Sequence, residues 1–287
     1  MTPTGTGQSI SPRSAKRRRR AKGGVATAMA VAILAVIVGV ALLAPVLAPY
    51  DPYEVDLSAA LQPPGSAHLL GTDMQGRDLL SRIMYGTRLT LLTSLTALVS
   101  GSVVGALLGL AAVFFPSSDA VIGRLLDILL SFPAILFGLA LGASLGPGLL
   151  PVTIALSIAT VPEVGRIARA AGLTIARQEY MQSGRAIGLG KTTLFFKYLA
   201  WNCMPTIFVF LTLRFGFIIL LGAGLNFLGL GAAPPAAELG VLAAEGRNVL
   251  AFAPHVATYP SLTIFLLVLS LNVLGDVLRD KLDKRLL

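Results

Sequence analysis

Apolar runs of membrane-spanning length recur along this chain, and the polar stretches between them set its organisation. The first run, Val25 to Leu47, reaches roughly 35 Å as a helix rising 1.5 Å per residue, enough to cross a bilayer. Five more follow at about Leu89–Phe115, Arg124–Ala143, Leu149–Leu173, Pro205–Leu230 and Thr258–Leu278. The pattern predicts six spanning helices. Pro116-Ser117-Ser118 reads as a turn between the second and third spans, and Gly146-Pro147-Gly148 as a tight turn between the third and fourth. Residues 48–88 are polar and rich in Pro and Gly. At about 40 residues they exceed a simple connector and are expected to fold over the mouth of the bundle. Pro234-Pro235 opens a second such segment of about 25 residues.

One long interior stretch, residues 178–204, breaks the apolar rhythm. Leu189, Leu194, Phe195 and Tyr198 recur at spacings close to three and four, as on one face of a helix. Gly188 and Gly190 mark a turn inside it. The stretch reads as a short helix, a turn and a second helix: a hairpin wedged between spanning helices and able to pass motion from a soluble partner into the membrane. Gly190-Lys191-Thr192 resembles the end of a phosphate-binding loop. Arg185 stands where that loop needs its first glycine, and no β-branched strand precedes it, so a plain helix turn is the better reading.

Composition agrees with a membrane protein. The chain is 55% hydrophobic and 13% charged, with mean hydropathy +0.79, more apolar surface than a soluble core can hide. The formal charge of +9 is explained by its distribution. On the proposed inner segments Lys and Arg number 7 in residues 1–24, 1 at Arg124, 6 from Arg166 to Lys197 and 4 in the C-terminal tail, which makes 18. The proposed outer segments hold 4, namely Arg77, Arg82, Arg88 and Arg247, and Arg214 lies within the fifth span. The positive-inside rule then places both termini and the hairpin in the cytoplasm. Residues 1–24 read as an unstructured basic cytoplasmic tail whose charges hold the first helix inside-facing and touch anionic lipid. The first apolar run is too long for a cleaved signal peptide.

Catalytic motifs are not found. Cys203 is the only cysteine, which excludes an internal disulfide and a multi-cysteine metal site. It reads as a small apolar filler near the start of the fifth span. His68 and His255 are the only histidines. Each reads as a solvated side chain of an outer segment, with a nickel path as the sharper alternative; no metal site is assigned. Arg124 and Asp127 stand one helical turn apart and can pair, as can Glu163 and Arg166. Arg214 lies about ten residues into a span, where a charge needs water or a partner. It either lines the pathway and attracts a peptide carboxylate, or pairs with an acid of a partner subunit or snorkels to the interface.

Six blocks in order resemble the C-type permease subunit of dipeptide/oligopeptide/nickel ABC importers, over roughly residues 25–287. His68 to Arg88 is similar to that family's LGTDxxGRDxLSR block, and Arg124-x-x-Asp127-x-x-Leu130-Ser131-Phe132-Pro133 to its RxxDxxLxFP block. Leu145 to Gly148 resembles its outer turn, Phe227 to Gly231 with Pro234-Pro235 its FLGLGxxPP, and Gly275 to Leu286 its GDxLRDxLDPRL ending. The sixth block is the hairpin, which resembles the coupling loop of importer permeases. Glu179-Tyr180 and Arg185-Ala186-x-Gly188 fit its pattern, while Gln182, Ser183 and Gly184 stand where Glu-Ala-Ala is usual. Ala200-Trp201-Asn202 replaces the usual Leu-Pro-Asn, and Gly222 a usual Glu.

The resemblance implies an all-α integral membrane fold of the type I ABC importer permease, with a cytoplasmic coupling-helix hairpin. It implies that Glu179, Tyr180, Gln182, Ser183, Gly184, Arg185, Ala186, Gly188 and Gly190 meet an ATPase, with the small residues permitting close docking. The chain would form half of the pathway for peptides or peptide-like solutes in the plasma membrane of a bacterium. Its partners would be a homologous B-type permease, two cytoplasmic ATPases holding ATP and Mg, an extracellular substrate-binding protein, and membrane lipid. No cofactor and no catalysis is expected in this chain, and no nucleic acid. Asp73, Arg77 and Asp78 either touch the binding protein and shape the outer gate, or serve internally, with Asp73 capping a helix that starts near Met74. Other readings are a stand-alone secondary transporter or channel, which predicts acids near the midplane and a duplicated half, and an importer of nickel chelates.

Overall fold

Asp78 starts the helix on which the bundle is built. Its carboxylate accepts hydrogen bonds from the Ser81 backbone N–H and hydroxyl, both at 2.8 Å, satisfying a donor that every helix start leaves free. In the computed structural model, which describes residues 12–286 and the side chains of residues 25–280, the helices are α1 (Pro12–Leu42), α2 (Ala44–Leu47), α3 (Leu79–Phe114), α4 (Pro116–Ser131), α5 (Ala134–Leu145), α6 (Leu149–Ala176), α7 (Glu179–Ala186), α8 (Lys191–Thr193), α9 (Trp201–Phe227), α10 (Leu239–Arg247) and α11 (His255–Leu286). A π-helical stretch, Leu194–Ala200, joins α8 to α9.

Among the described residues, five helices are long and apolar enough to span a membrane, and the bent pair α4–α5 makes a sixth crossing if counted as one span. The all-α, six-span expectation therefore stands, with four corrections. The second span begins at Leu79, ten residues before Leu89, because Ser81 and Arg82 are buried and partnered. At 36 residues, about 54 Å, α3 overshoots the roughly 30 Å hydrocarbon core, so the expected loop 48–88 ends at Asp78. The third span is two helices bent by 82°. Pro133 has no N–H to continue α4 and pushes Phe132 to an extended φ of −91° and ψ of 126°. Pro116, expected in a turn, is at the start of α4, where its fixed φ is tolerated. Finally, α1 is helical from Pro12, where an unstructured tail was expected through residue 24; residues 1–11 of that tail lie outside the described residues.

Two packing devices position the rest. On α3, Gly101, Gly105 and Gly109 face the backbone carbonyls of Ser157, Val161 and Gly165 on α6, so closely that a Cβ at any of the three would collide. Each glycine costs a helix about 1 kcal/mol relative to Ala, and in a bilayer this close approach supplies van der Waals contact that larger side chains would forbid. At the opposite face, the segment after Pro235 is no simple loop. Its α10 is buried through Leu239, Val241, Leu242 and Ala243, with Gly240 on the Ala223 backbone and Gly246 on the Ala257 backbone. Glu238 caps it, accepting from the N–H groups of Gly240 and Val241 at 2.7 and 3.1 Å, and from the Thr90 hydroxyl at 2.6 Å.

Candidate functional site

The hairpin is built as its sequence pattern predicts. Glu179 sits in the first turn of α7 and Arg185 in the last, each favourable to the helix dipole. The helix stops through paired backbone bonds. Gly188 N–H reaches the Arg185 carbonyl at 3.1 Å, and Leu189 N–H the Gly184 carbonyl at 3.0 Å. That termination needs a left-handed residue, and Gly188 has φ +76°. Gly190 then starts α8.

What holds α7 to the bundle is one apolar cluster. Met181 is fully buried, and α7 packs on α6 and the π-helical stretch; the cluster it joins holds Leu110 of α3, Val164 and Ala168 of α6, Phe195 and Leu199 of the π-helical stretch, and Cys203 and Ile207 of α9. Cys203 is thus the apolar filler it reads as. The π-helical stretch closes with the Trp201 N–H on the Phe196 carbonyl, an irregularity that recurs at functional places in helices.

The two faces of α7 divide the expected residues. Glu179, Tyr180, Gln182, Ser183, Arg185, Ala186, Gly188 and Gly190 are exposed. Burial of part of the Tyr180 ring, and then the nearby Cys203, raise its phenol above the ordinary value. Gly184 departs from expectation: it is buried, and a Cβ there would lie 2.9 Å from Leu194 and 3.3 Å from Leu189. Its smallness serves the hairpin's own packing, not a partner's approach. Two residues were missed. Met181 stands three positions before Gly184, the spacing of a buried face. Ile187 is an apolar residue 76% exposed at the tip.

At the other end of the bundle lies a buried ionic cluster. Asp73 Oδ2 accepts from Arg77 Nε and Arg82 Nη1, both at 2.7 Å, and Glu245 Oε2 lies 3.3 Å from Nη2 of each arginine. The Glu245 carboxyl is pushed above its ordinary value by burial, against the pull of Arg77. Asp73 does not cap a helix at Met74; it closes a turn, accepting from the N–H groups of Gln75 and Arg77 at 2.8 and 3.0 Å. Asp78 caps α3 and meets His68 Nδ1 at 2.9 Å. His255 Nε2 lies 3.3 Å from the Thr72 carbonyl. The side chains of Asp73, Arg77 and Asp78 are buried, so direct contact with a binding protein is closed to them here. Arg82 and Glu245, which complete the cluster, were not singled out, although Arg82 ends the same sequence block.

Charges along the spans pair between helices. Asp127 meets Arg166 at 2.6 Å, not Arg124, and Glu163 meets Arg214 at 2.8 Å, not Arg166. Arg169 forks onto Asp119 with two bonds of 2.7 Å. Helix α6 therefore binds α4 twice and α9 once by charge. Arg214 finds its acid within this chain rather than on a partner, and its guanidinium carbon lies 4.3 Å from the centroid of the Phe217 ring, a favourable stacking.

Residues 88–287 match the family described as binding-protein-dependent transport system inner membrane component, and residues 26–64 the N-terminal TM domain of oligopeptide transport permease C. Among similar proteins is the di/tripeptide transport system permease protein DppC of Pseudomonas aeruginosa, 44% identical over 257 residues, covering 87% of this chain and 85% of the relative. The glutathione transport system permease protein GsiD of Pectobacterium atrosepticum is 39% identical over 271 residues, covering 94% and 90%. The probable D,D-dipeptide transport system permease protein DdpC of Escherichia coli is 36% identical over 265 residues, covering 92% and 89%. Two solved structures share the fold: the MetNI methionine ABC transporter, with TM-score 0.54 at 20% identity over 70% of this chain and 95% of that one, and an amino acid ABC transporter with histidines, with 0.56 at 16% over 70% and 94%.

Proposed function

This chain belongs to the binding-protein-dependent transport system inner membrane component family, and on that premise we propose that it forms half of the membrane pathway of an ATP-driven importer of peptides or peptide-like solutes. The substrate class rests on the relatives, whose names give di- and tripeptides, D,D-dipeptides and glutathione. The chain is a permease and not a catalyst; ATP and Mg belong to two partner ATPases. A homologous permease supplies the other half, and a binding protein delivers solute on the loop side. Both termini and the hairpin face the cytoplasm, by the excess of 18 basic residues over 4.

The observation that carries the coupling role is Met181, buried among residues of α3, α6 and α9 while the opposite face of α7 stays exposed. A partner that seats Glu179, Tyr180, Gln182, Ser183, Arg185 and Ala186 moves the bundle through that single inserted side chain. Gly184, Gly188 and Gly190 shape the hairpin. Asp73, Arg77 and Asp78 fix the outer gate from within. Arg214 acts as the tie between α6 and α9, so the Arg214→Gln variant loses folded complex in step with uptake. Uptake lost from an intact, stable complex would instead place Arg214 on the pathway.

The deciding test is to purify the tagged chain gently from its native membrane and identify its companions by mass spectrometry. A second permease and ATPase subunits in fixed stoichiometry are expected. Recovery of the chain alone, transporting in liposomes without ATP, would overturn the reading.

A further inference from the structure

A cavity of about 530 Å³ opens at the hairpin end, where the ends of spanning helices meet the hairpin. Phe114 and Phe115 at the end of α3, and Leu173 near the end of α6, form its apolar side; Arg177, Arg185 and Lys191 line the hairpin side. No hydrogen bond or ion pair engages the side chains of these three cations among the described residues. The acid nearest in sequence to the cavity's α4 wall, Asp119, is already held by Arg169. The N-terminus of α4, a 16-residue helix, carries no side-chain cap, and Ser117 of its first turn lines the same cavity. Of the first N–H groups there, Pro116 has none and that of Ser118 is held by the Phe115 carbonyl at 2.9 Å, so the positive potential of the cavity comes from the three side chains.

The geometry points to a binding site for the phosphate-bearing headgroup of an anionic phospholipid. The phosphate is met by Arg177 and Lys191, and the acyl chains run beside Phe115 and Leu173. The apolar wall selects lipid over a soluble acid. Phe115 and Leu173 are 45% and 38% exposed at the last turns of spanning helices, the level where hydrocarbon gives way to headgroups, and basic pockets between spanning helices are suited to such headgroups. The site joins α3, α4, α6 and the hairpin, so an occupying lipid ties the hairpin to the core and makes its position depend on membrane composition. This inference needs only that the chain spans a membrane, and stands or falls separately from the coupling role.

The test exposes the purified full-length chain to mixed micelles of phosphatidylglycerol and phosphatidylcholine and counts retained lipid by native mass spectrometry. The expected result is retained phosphatidylglycerol in preference to phosphatidylcholine, with retention about tenfold weaker in Arg177→Gln/Lys191→Gln. Arg124→Gln, which removes an exposed cation outside the cavity, keeps the preference. Undiminished retention by the double variant, or an equal loss in Arg124→Gln, overturns the site. So does displacement of the lipid by inorganic phosphate, which marks a free-anion site, or by an added ATPase subunit, which marks a docking surface. Should the double variant fail to fold, Lys191→Gln, at an exposed position, carries the same comparison with a smaller loss.

Discussion

The two ends of the bundle treat charge in opposite ways. At the loop end, Asp73, Arg77, Arg82 and Glu245 are drawn together and largely removed from water. At the hairpin end, Glu179, Arg185 and Lys191 stay exposed, and the segment is held by apolar packing through Met181, Leu194, Phe195 and Leu199. A buried ionic cluster is intolerant of change, since losing one member strands the others. An exposed charged surface over an apolar base tolerates change at its charges more readily. The loop end therefore buries its charge inside the fold, and the hairpin end presents its charge on the surface.

The largest effect that would break this comparison lies at the loop end. Arg82→Ala leaves Arg77 as the one remaining cation for both Asp73 and Glu245, in a cluster whose Asp73 and Arg77 are buried. The expected cost is about 3–5 kcal/mol, read as loss of folded chain in thermal unfolding in detergent. A variant of near-native stability would show that the cluster is not what holds α3 to α10.

Next comes the anchor. Met181→Ala removes a fully buried side chain and should cost about 2–3 kcal/mol. The hairpin is a small part of the structure, so the loss is local. Amide exchange in residues 179–193 should quicken while the α3–α6 contact keeps its protection, and uptake per ATP hydrolysed should fall. Equal exchange rates in wild type and variant would remove Met181 as the mechanical link.

Much of this architecture was legible in the chain. Spanning helices announce themselves by length and apolarity, and the hairpin by its interruption of that pattern and by Gly188. Pairing between elements was not legible, because spacing reveals only neighbours on the same helix. Arg166 has Glu163 one turn away, yet its partner is Asp127 across a helix boundary. The 82° bend was carried by Pro133, whose missing N–H shows where a helix must stop but not where the chain turns. Gly101, Gly105 and Gly109 were a readable signal, since small residues every fourth position in an apolar helix mark a close interface. The buried α10 was hidden behind Pro234-Pro235, because a nine-residue helix too short to span reads as loop until its neighbours are known.

A smaller effect sharpens the loop end through pH. Burial raises the Glu238 carboxyl above its ordinary value, against the hydrogen bonds from Thr90, Val241 and Gly240, and burial raises Glu245 likewise. For an acid raised by folding, the folded state keeps its proton where the unfolded chain has lost it. Stability is then greatest below the ordinary carboxylate value and is lost as pH rises through the folded one. Thermal unfolding should occur at progressively lower temperature as pH is raised from about 4.5, and Glu238→Gln should flatten part of that slope while still accepting from Gly240 and Val241. A wild-type curve with the opposite slope would mean that the carboxylates are better satisfied charged than neutral.

The smallest effect on stability falls on Ile187. It is 76% exposed at the end of α7, and changing an exposed side chain that packs on nothing typically shifts stability by under about 0.5 kcal/mol. An apolar tip on a segment otherwise bearing Gln182, Ser183 and Arg185 is poorly suited to water and well suited to a groove. Ile187→Ser should therefore leave the unfolding temperature of the isolated chain unchanged while weakening recovery of the ATPase subunits on purification. The opposite outcome, a less stable chain that keeps its partners, would make Ile187 part of the hairpin's own packing. The hairpin end would then resemble the loop end more than its exposure suggests, because its surface would be serving the fold rather than waiting for contact.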